Sequence, residues 1–243
     1  MGPLKTLMLF TTILVLSISA STEQHVVEWD STREFGQFRR VVLVSGDYGS
    51  RGTGFIIGKY LLTAAHNVRE KPDKKPEPVH YWHETLGLPH ISALSKDEYK
   101  ALPILKPVRI EGPPEVSGDS PDLALYEAPW EQSPVSWSSP VLDEEVIIIG
   151  YGAGYRTIIH GRVARLTESQ LFVDARAIRG FSGGPIFNLR GQIVGIFVAC
   201  FADIMQVPQF LPDGSHFIDS MVIGSYFIGL RPHVIREYLP EIF

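Results

Sequence analysis

Short apolar runs, each ended within a few residues by glycine, aspartate or lysine, constrain the fold of this chain more than any other feature. The first three cover residues 41–44, 53–57 and 60–63. Runs of this length that are rich in β-branched residues and bounded by turn residues are typical of strands in an antiparallel meander. The pattern resumes at residues 146–149 and again at 192–199. The chain is therefore predicted to be mostly β.

Residues 69–121 lack this regularity because they are rich in proline, above all in the charged segment 71–78. Prolines at this density prevent long helices and confine strands to edges. We expect surface loops here, with one or two strands. Three histidines of this segment are predicted to be solvated loop residues, with a metal site as the alternative: His80, His83 and His90.

A glycine-rich stretch surrounds Ser182, which follows Gly180 and Phe181 and precedes Gly183-Gly184-Pro185. Glycine permits a positive φ and a close approach of backbone, so such a turn can present a serine hydroxyl on an uncluttered loop. A nucleophile beside two oxyanion-binding amides needs this kind of surrounding. The alternative is a glycine-rich hairpin with an incidental serine.

Two further polar residues lie at the edges of apolar strands. His66 follows Thr63-Ala64-Ala65 at the end of a predicted strand, and Asp122 precedes Leu123-Ala124-Leu125. A carboxylate at the start of a buried strand needs hydrogen bonds or a cation to offset its desolvation. Alternatively, Asp122 caps a turn and His66 is an ordinary surface or core histidine.

Taken together, these three motifs, in the order His66, Asp122, Ser182, resemble those of the trypsin-like (chymotrypsin-fold) serine peptidases. The resemblance extends loosely over residues 41–232. It implies an all-β fold of two six-stranded antiparallel β-barrels, about 41–130 and 140–232, with the active site between them. A short C-terminal helix is expected at residues 232–239.

The resemblance also implies a role for each site residue. Ser182 would attack the scissile carbonyl, His66 would take its proton, and Asp122 would orient the imidazole. The backbone amides of Gly180 and Ser182 would form the oxyanion hole. Activity would fall in acid as His66 becomes protonated.

Phe181 departs from trypsin, which has an aspartate before the serine that pairs with a freed N-terminal amine. An enzyme with phenylalanine here is expected to need no such activation. In this respect the chain is more similar to the bacterial-type branch that includes the high-temperature-requirement peptidases. That branch usually has a small amide residue at this position, and its members often carry a peptide-binding (PDZ) domain, for which we expect no room here.

Specificity is encoded more weakly. In the family, the strand that matches residues 195–200 lines the primary specificity pocket, and residues just before the serine form its floor. Phe197, Val198 and Ala199 would give an apolar wall, and Arg176 near the floor argues against basic side chains. We therefore expect cleavage after small or medium apolar residues.

Residues 1–20 are predicted to be a signal peptide, because an apolar run follows Lys5 and ends in small residues. A polar lead-in over residues 21–40 would precede the peptidase domain at 41–243. The mature protein is expected to be secreted or periplasmic, with a membrane tether only if residues 1–20 stay uncleaved.

Composition narrows the partners. A formal net charge of −5 without a long basic block argues against nucleic acid as a partner. The single cysteine, Cys200, excludes an intrachain disulfide, and zinc-binding Cys/His spacing is absent, so we expect no metal and no cofactor. Protein or peptide substrates are what the family resemblance implies.

Two alternatives to an active peptidase remain. A catalytically silent relative could serve as a binding protein, since one fold supports many functions. The Gly180-Phe181-Ser182-Gly183-Gly184 stretch also fits the nucleophile elbow of α/β-hydrolase esterases, although that fold needs a helix directly after the serine, which Pro185 disfavours.

Overall fold

The computed structural model describes residues 37, 39–46, 51–68, 78–88, 90, 93–111, 121–152, 154–175, 180–210 and 216–243. Only the backbone is described for residues 96, 111, 201–210 and 216–225. The predicted signal peptide, most of the lead-in and Arg176 lie outside the described residues.

Thirteen strands and two α-helices are described. The strands are β1 (Val41–Ser45), β2 (Arg51–Ile57), β3 (Tyr60–Ala64), β4 (Val79–Trp82), β5 (Ile104–Leu105), β6 (Pro107–Glu111), β7 (Leu123–Glu127), β8 (Glu145–Gly152), β9 (Tyr155–Leu166), β10 (Gln170–Asp174), β11 (Pro185–Asn188), β12 (Ile193–Phe210) and β13 (His216–Leu230). The helices are α1 (Lys96–Lys100) and α2 (Pro232–Tyr238), and 3₁₀ turns cover Ala65–Asn67, Glu84–Leu86 and Pro240–Ile242.

The strands form two antiparallel sheets, one from each half of the chain. The first has the order β5-β4-β1-β2-β3-β7-β6 and curves into a nearly closed barrel. The second is a closed six-stranded barrel of order β10-β13-β12-β11-β8-β9, followed by α2. The predicted two-barrel architecture with a short C-terminal helix is confirmed. The first sheet has seven strands because the two-residue β5 adds to its edge.

Apolar side chains fill each barrel and also the space between them. One buried cluster combines β1 and β2 of the first barrel with β8 and β11 of the second and with α2. Within it, the rings of Phe55 and Phe187 meet edge to face with centroids 5.7 Å apart. Because burial of apolar area is the main stabilising term, the two barrels are held together by a shared core.

The proline-rich segment is more ordered than we expected. It contributes β4, β5, β6 and α1, and Ser95 begins α1 with a capping box that involves Glu98. The expectation of a solvated loop histidine is wrong for His83, which is only 1% exposed. Its ring lies 5.0 Å from that of Trp130 and bonds to the Thr85 hydroxyl at 2.8 Å.

Strand β12 is much longer than the predicted run at 192–199, and it pairs with a strand β13 of similar length. They remain paired from Ile196↔Leu230 out to Phe210↔His216, as a two-stranded ribbon that continues past the barrel. Pro208 lies within β12 opposite Ile218. Proline is tolerated at the free edge of a sheet because no partner needs its missing N–H.

No helix in the described ranges has the length and apolar character needed to cross a bilayer.

Candidate active site

His66 and Asp122 are brought together by the pairing of β3 with β7. Ala64, the last residue of β3, pairs with Leu123, the first residue of β7, and the amide of Ala65 donates to the Asp122 carbonyl at 3.1 Å. His66 therefore sits in the 3₁₀ turn after β3, directly beside the residue that precedes β7. Both predicted motifs meet at the same end of two neighbouring strands.

The carboxylate of Asp122 is completely buried and makes two hydrogen bonds to His66. Its Oδ1 accepts from the backbone N–H of His66 at 2.8 Å, and its Oδ2 bonds to the ring Nδ1. These bonds offset the desolvation of the carboxylate. The turn-cap alternative for Asp122 is thereby excluded, since the side chain serves the histidine.

This bonding leaves the other ring nitrogen available. When Nδ1 carries the proton that it shares with Asp122, Nε2 has a lone pair and can accept a proton. The His66 side chain is 32% exposed, so the ring can be reached from solvent. The buried Asp122 carboxylate thus holds the solvent-accessible His66 ring in one tautomer.

The turn that bears Ser182 has the backbone that its glycines allow. Gly180 has a φ of 102° and Gly183 a φ of 89°, a region that residues with a side chain rarely adopt. The amide of Gly184 donates to the Phe181 carbonyl at 2.8 Å and so closes the turn. Strand β11 begins directly afterwards with Pro185, so the helix that an α/β-hydrolase needs is not there.

This serine turn, residues 180–184, packs against the first barrel next to His66. The Ser182 carbonyl accepts from the amide of Thr53 at 2.8 Å and from Nδ2 of Asn67, the residue after His66, at 2.7 Å. Among the described residues, no hydrogen bond joins the His66 ring to the Ser182 hydroxyl. Such bonds are often long in ligand-free enzymes and shorten in the complex with substrate.

Three consecutive backbone amides of the turn, those of Gly180, Phe181 and Ser182, donate to no carbonyl in the part of the chain that the structure describes. The N–H groups of Gly183 and Gly184, by contrast, are bonded to Phe197 and Phe181. Buried or half-buried amides normally find a partner. The amides of Gly180 and Ser182, on either side of Phe181, are the two that the family resemblance assigns to an anionic oxygen.

The bulky side chain of Phe181 points away from these amides into the second barrel. It is fully buried in the core of that barrel, and its ring contacts Phe227 at a centroid distance of 5.9 Å. Gly150 provides the space, since a Cβ there would lie 2.7 Å from the Phe181 ring. Ser182 itself is only partly buried, so the two neighbouring side chains lie on opposite sides of the turn.

The predicted specificity residues are placed on β12, beside the serine turn. The backbone of Phe197 exchanges hydrogen bonds with Gly183 and Gly184 at 2.7 and 2.8 Å. The side chains of Phe197 and Val198 are 2% and 1% exposed, while Ala199 retains part of its surface. Arg176 lies outside the described residues.

The sequence reasoning missed Thr53 and Asn67, which hold the serine turn. The signal in the sequence was the Gly52-Thr53-Gly54 run. In the structure, a side chain at Gly52 would collide with the side chain of Asn67. A residue flanked by glycines in a strand marks a close approach of other groups.

Burial raises the pKa of the Tyr151 hydroxyl well above its usual range, so Tyr151 adds no charge near this site. Within the described ranges, no three His, Cys, Asp or Glu side chains converge where a metal ion could bind.

Comparisons with known proteins agree on the fold. A family model described as a trypsin-like peptidase domain matches residues 52–196. A search of curated protein sequences found no match.

Among solved structures, the active form of the Rv3671c protease from M. tuberculosis is similar, with a TM-score of 0.56, 18% identity, and coverage of 88% of this chain and 85% of that chain. A serine endoprotease from Yersinia pestis gives a TM-score of 0.55 at 16% identity, with 87% and 65% covered. A human pathogenic astrovirus serine protease gives 0.51 at 15% identity, with 80% and 90% covered.

Proposed function

Because the chain belongs to the trypsin-like peptidase domain family, we propose that it is a serine endopeptidase that uses Ser182, His66 and Asp122 as its catalytic triad. The observation that carries this proposal is the His66–Asp122 pair, in which a fully buried carboxylate bonds to both the ring and the backbone of one reachable histidine. The serine turn is bonded to the residue next to that histidine.

In the proposed reaction, the Ser182 hydroxyl attacks the carbonyl carbon of the scissile bond while Nε2 of His66 removes its proton. Asp122 holds the ring in the tautomer that has a free Nε2 and stabilises the imidazolium that forms. The imidazolium then protonates the leaving amine, and an acyl group remains on Ser182. Water, deprotonated by His66, releases that group in the second half of the reaction.

The negative charge that develops on the carbonyl oxygen would be bound by the amides of Gly180 and Ser182. One such donor typically contributes about 3 kcal/mol to the transition state. The absence of an internal acceptor for both amides in the described ranges supports this role.

Activation by an N-terminal ion pair is not part of the proposed mechanism. The position before the serine holds Phe181, which packs in the apolar core with Phe227 and has no charge to pair. The turn is held by hydrogen bonds from Thr53 and Asn67 instead. The enzyme is therefore expected to need no activating cleavage that frees an N-terminal amine for an ion pair.

Labelling with a serine-directed fluorophosphonate tests the proposal. The intact protein is expected to be labelled at Ser182, because the triad activates only that hydroxyl. Ser182→Ala and His66→Ala should both abolish labelling, while the exposed Ser139→Ala variant should label like the unaltered protein. Folded, unaltered protein that never labels would overturn the proposal and favour a silent binding protein.

We also propose a preference for small or medium apolar residues before the cleaved bond. The support is Ala199, a small apolar residue that retains part of its surface on the strand bonded to the serine turn. The side chains of Phe197 and Val198, which the sequence also suggested for this wall, are packed in the hydrophobic cores. A peptide library digested by the protein should show Ala, Val or Leu at this position. A profile dominated by Lys or Arg would contradict it.

Export to the cell exterior or periplasm is proposed from the sequence of residues 1–20 alone. Sequencing the N-terminus of the protein recovered from its natural source would test it, with a start near residue 21 expected.

A further inference from the structure

We infer that Thr53 is a positioning residue for the oxyanion hole, a role that rests on the proposed peptidase function. Thr53 lies on β2 of the first barrel and is completely buried. It bonds to the serine turn of the second barrel at two points, one on each side of Phe181. No other described residue bonds to both the Gly180 and the Ser182 carbonyl.

The hydroxyl of Thr53 has its single proton directed at the turn. Its Oγ1 accepts from the backbone N–H of Tyr151 at 2.9 Å and lies 2.7 Å from the carbonyl oxygen of Gly180. A carbonyl can only accept, so the hydroxyl donates to Gly180. The hydroxyl therefore links two segments of the second barrel through one residue of the first.

The backbone of Thr53 holds the other side of the turn. Its N–H donates to the Ser182 carbonyl at 2.8 Å, and its own carbonyl accepts from the Thr63 hydroxyl at 2.7 Å. Thr63 is in turn bonded to Asn67, whose side chain also donates to Ser182. Thr53 is thus fixed by its own barrel while it holds the turn.

The consequence concerns the direction of two N–H groups. Because each peptide unit is planar, fixing the carbonyls of Gly180 and Ser182 also fixes the 180–181 and 182–183 peptide planes. The amide of Ser182 lies between these planes, and that of Gly180 precedes the first of them. An oxyanion hole works only when its donors are aimed before the charge develops, so losing the Thr53 hydroxyl should weaken transition-state binding more than substrate binding.

Kinetics of p-nitrophenyl ester hydrolysis by the full chain test the inference. Thr53→Val keeps the methyl group and replaces the hydroxyl with a second methyl group, and we expect kcat to fall at least about tenfold with KM changed by less than about twofold. Thr53→Ser keeps the hydroxyl and should retain most of the activity. Thr157→Val, which removes a hydroxyl bonded within β9 to Tyr155, is the matched control and should act like the unaltered protein.

Three outcomes would overturn the inference. The first is a Thr53→Val variant that is as active as the unaltered protein, and the second is a Thr53→Ser variant that is as impaired as Thr53→Val. If Thr53→Val does not fold by circular dichroism, Thr53→Ala is compared with Thr53→Ser, since both lack the methyl group and only serine has the hydroxyl. The third outcome is that neither the Thr53→Val nor the Thr53→Ala variant folds, which would show that the role of Thr53 is purely structural.

These outcomes are distinct from a failure of the proposed function. That failure is seen in the unaltered protein, which would then neither react with a fluorophosphonate nor hydrolyse the ester. A reactive unaltered protein with a fully active Thr53→Val variant would reject the inference alone.

Discussion

Asp122→Asn is expected to lower kcat about 10⁴-fold while the protein stays folded. The reason is the pair of hydrogen bonds that the carboxylate makes with the backbone and the ring of His66. If the asparagine oxygen keeps the backbone N–H of His66, its NH₂ group faces the ring Nδ1, which must then accept. The ring proton moves to Nε2, and the histidine can no longer take the proton of Ser182.

The opposite orientation of the asparagine is no better, because its NH₂ group would face the backbone N–H and leave two donors in contact at a fully buried position. Steady-state hydrolysis of a p-nitrophenyl ester measures the effect, and circular dichroism verifies the fold. Asp143→Asn is the matched control, since Asp143 is exposed and asparagine tolerates its φ of 62°. An Asp122→Asn enzyme with undiminished kcat would remove Asp122 from the triad.

Gly183→Ala is expected to reduce the free energy of unfolding by about 2–5 kcal/mol, the sum of backbone strain and overpacking. Gly183 has a φ of 89°, and a Cβ there would collide with the Thr53 carbonyl and lie 2.5 Å from the Thr63 hydroxyl and 2.8 Å from the Ala64 amide. These are atoms of β2 and β3, which cannot move without disturbing the first barrel. Activity should fall as well, since the turn would be pushed away from His66.

Gly191→Ala separates the two causes. Gly191 also has a positive φ, of 77°, but a Cβ there would meet nothing within 4 Å. We therefore expect a loss of about 1 kcal/mol, from strain alone, and no change in activity. Urea unfolding of both variants gives the comparison. Equal losses in the two would show that the serine turn is not packed as tightly as described.

The sequence could predict the parts of this protein that depend on neighbours in the chain. Strand positions follow from apolar runs bounded by turn residues, and the serine turn follows from glycines that permit a positive φ at Gly180 and Gly183. The pairing of His66 with Asp122 could be expected only from the family resemblance, because the residues alone left a turn cap as the alternative for Asp122. The two barrels then followed from the family resemblance.

Contacts between distant residues could not be predicted in this way. Thr53 and Gly180 are 127 residues apart, and no local sequence pattern predicts the hydrogen bond between them. His83 was expected in solvent, yet Trp130, a residue of the connection between the barrels, covers its ring. The length of the β12–β13 ribbon was missed because both strands continue through polar residues that do not alternate regularly with apolar ones, and β12 also continues through Pro208.

The contact of the serine turn with β2 and β3 determines when, during synthesis of the chain, the proposed active site becomes complete. The first barrel, with His66 and Asp122, is synthesised before Ser182 exists, and domains generally fold as they emerge. A nascent or truncated chain therefore has a base without a nucleophile. Under the proposed mechanism, hydrolytic capacity arises only when the second half closes onto the first, so an incomplete copy cannot digest its surroundings.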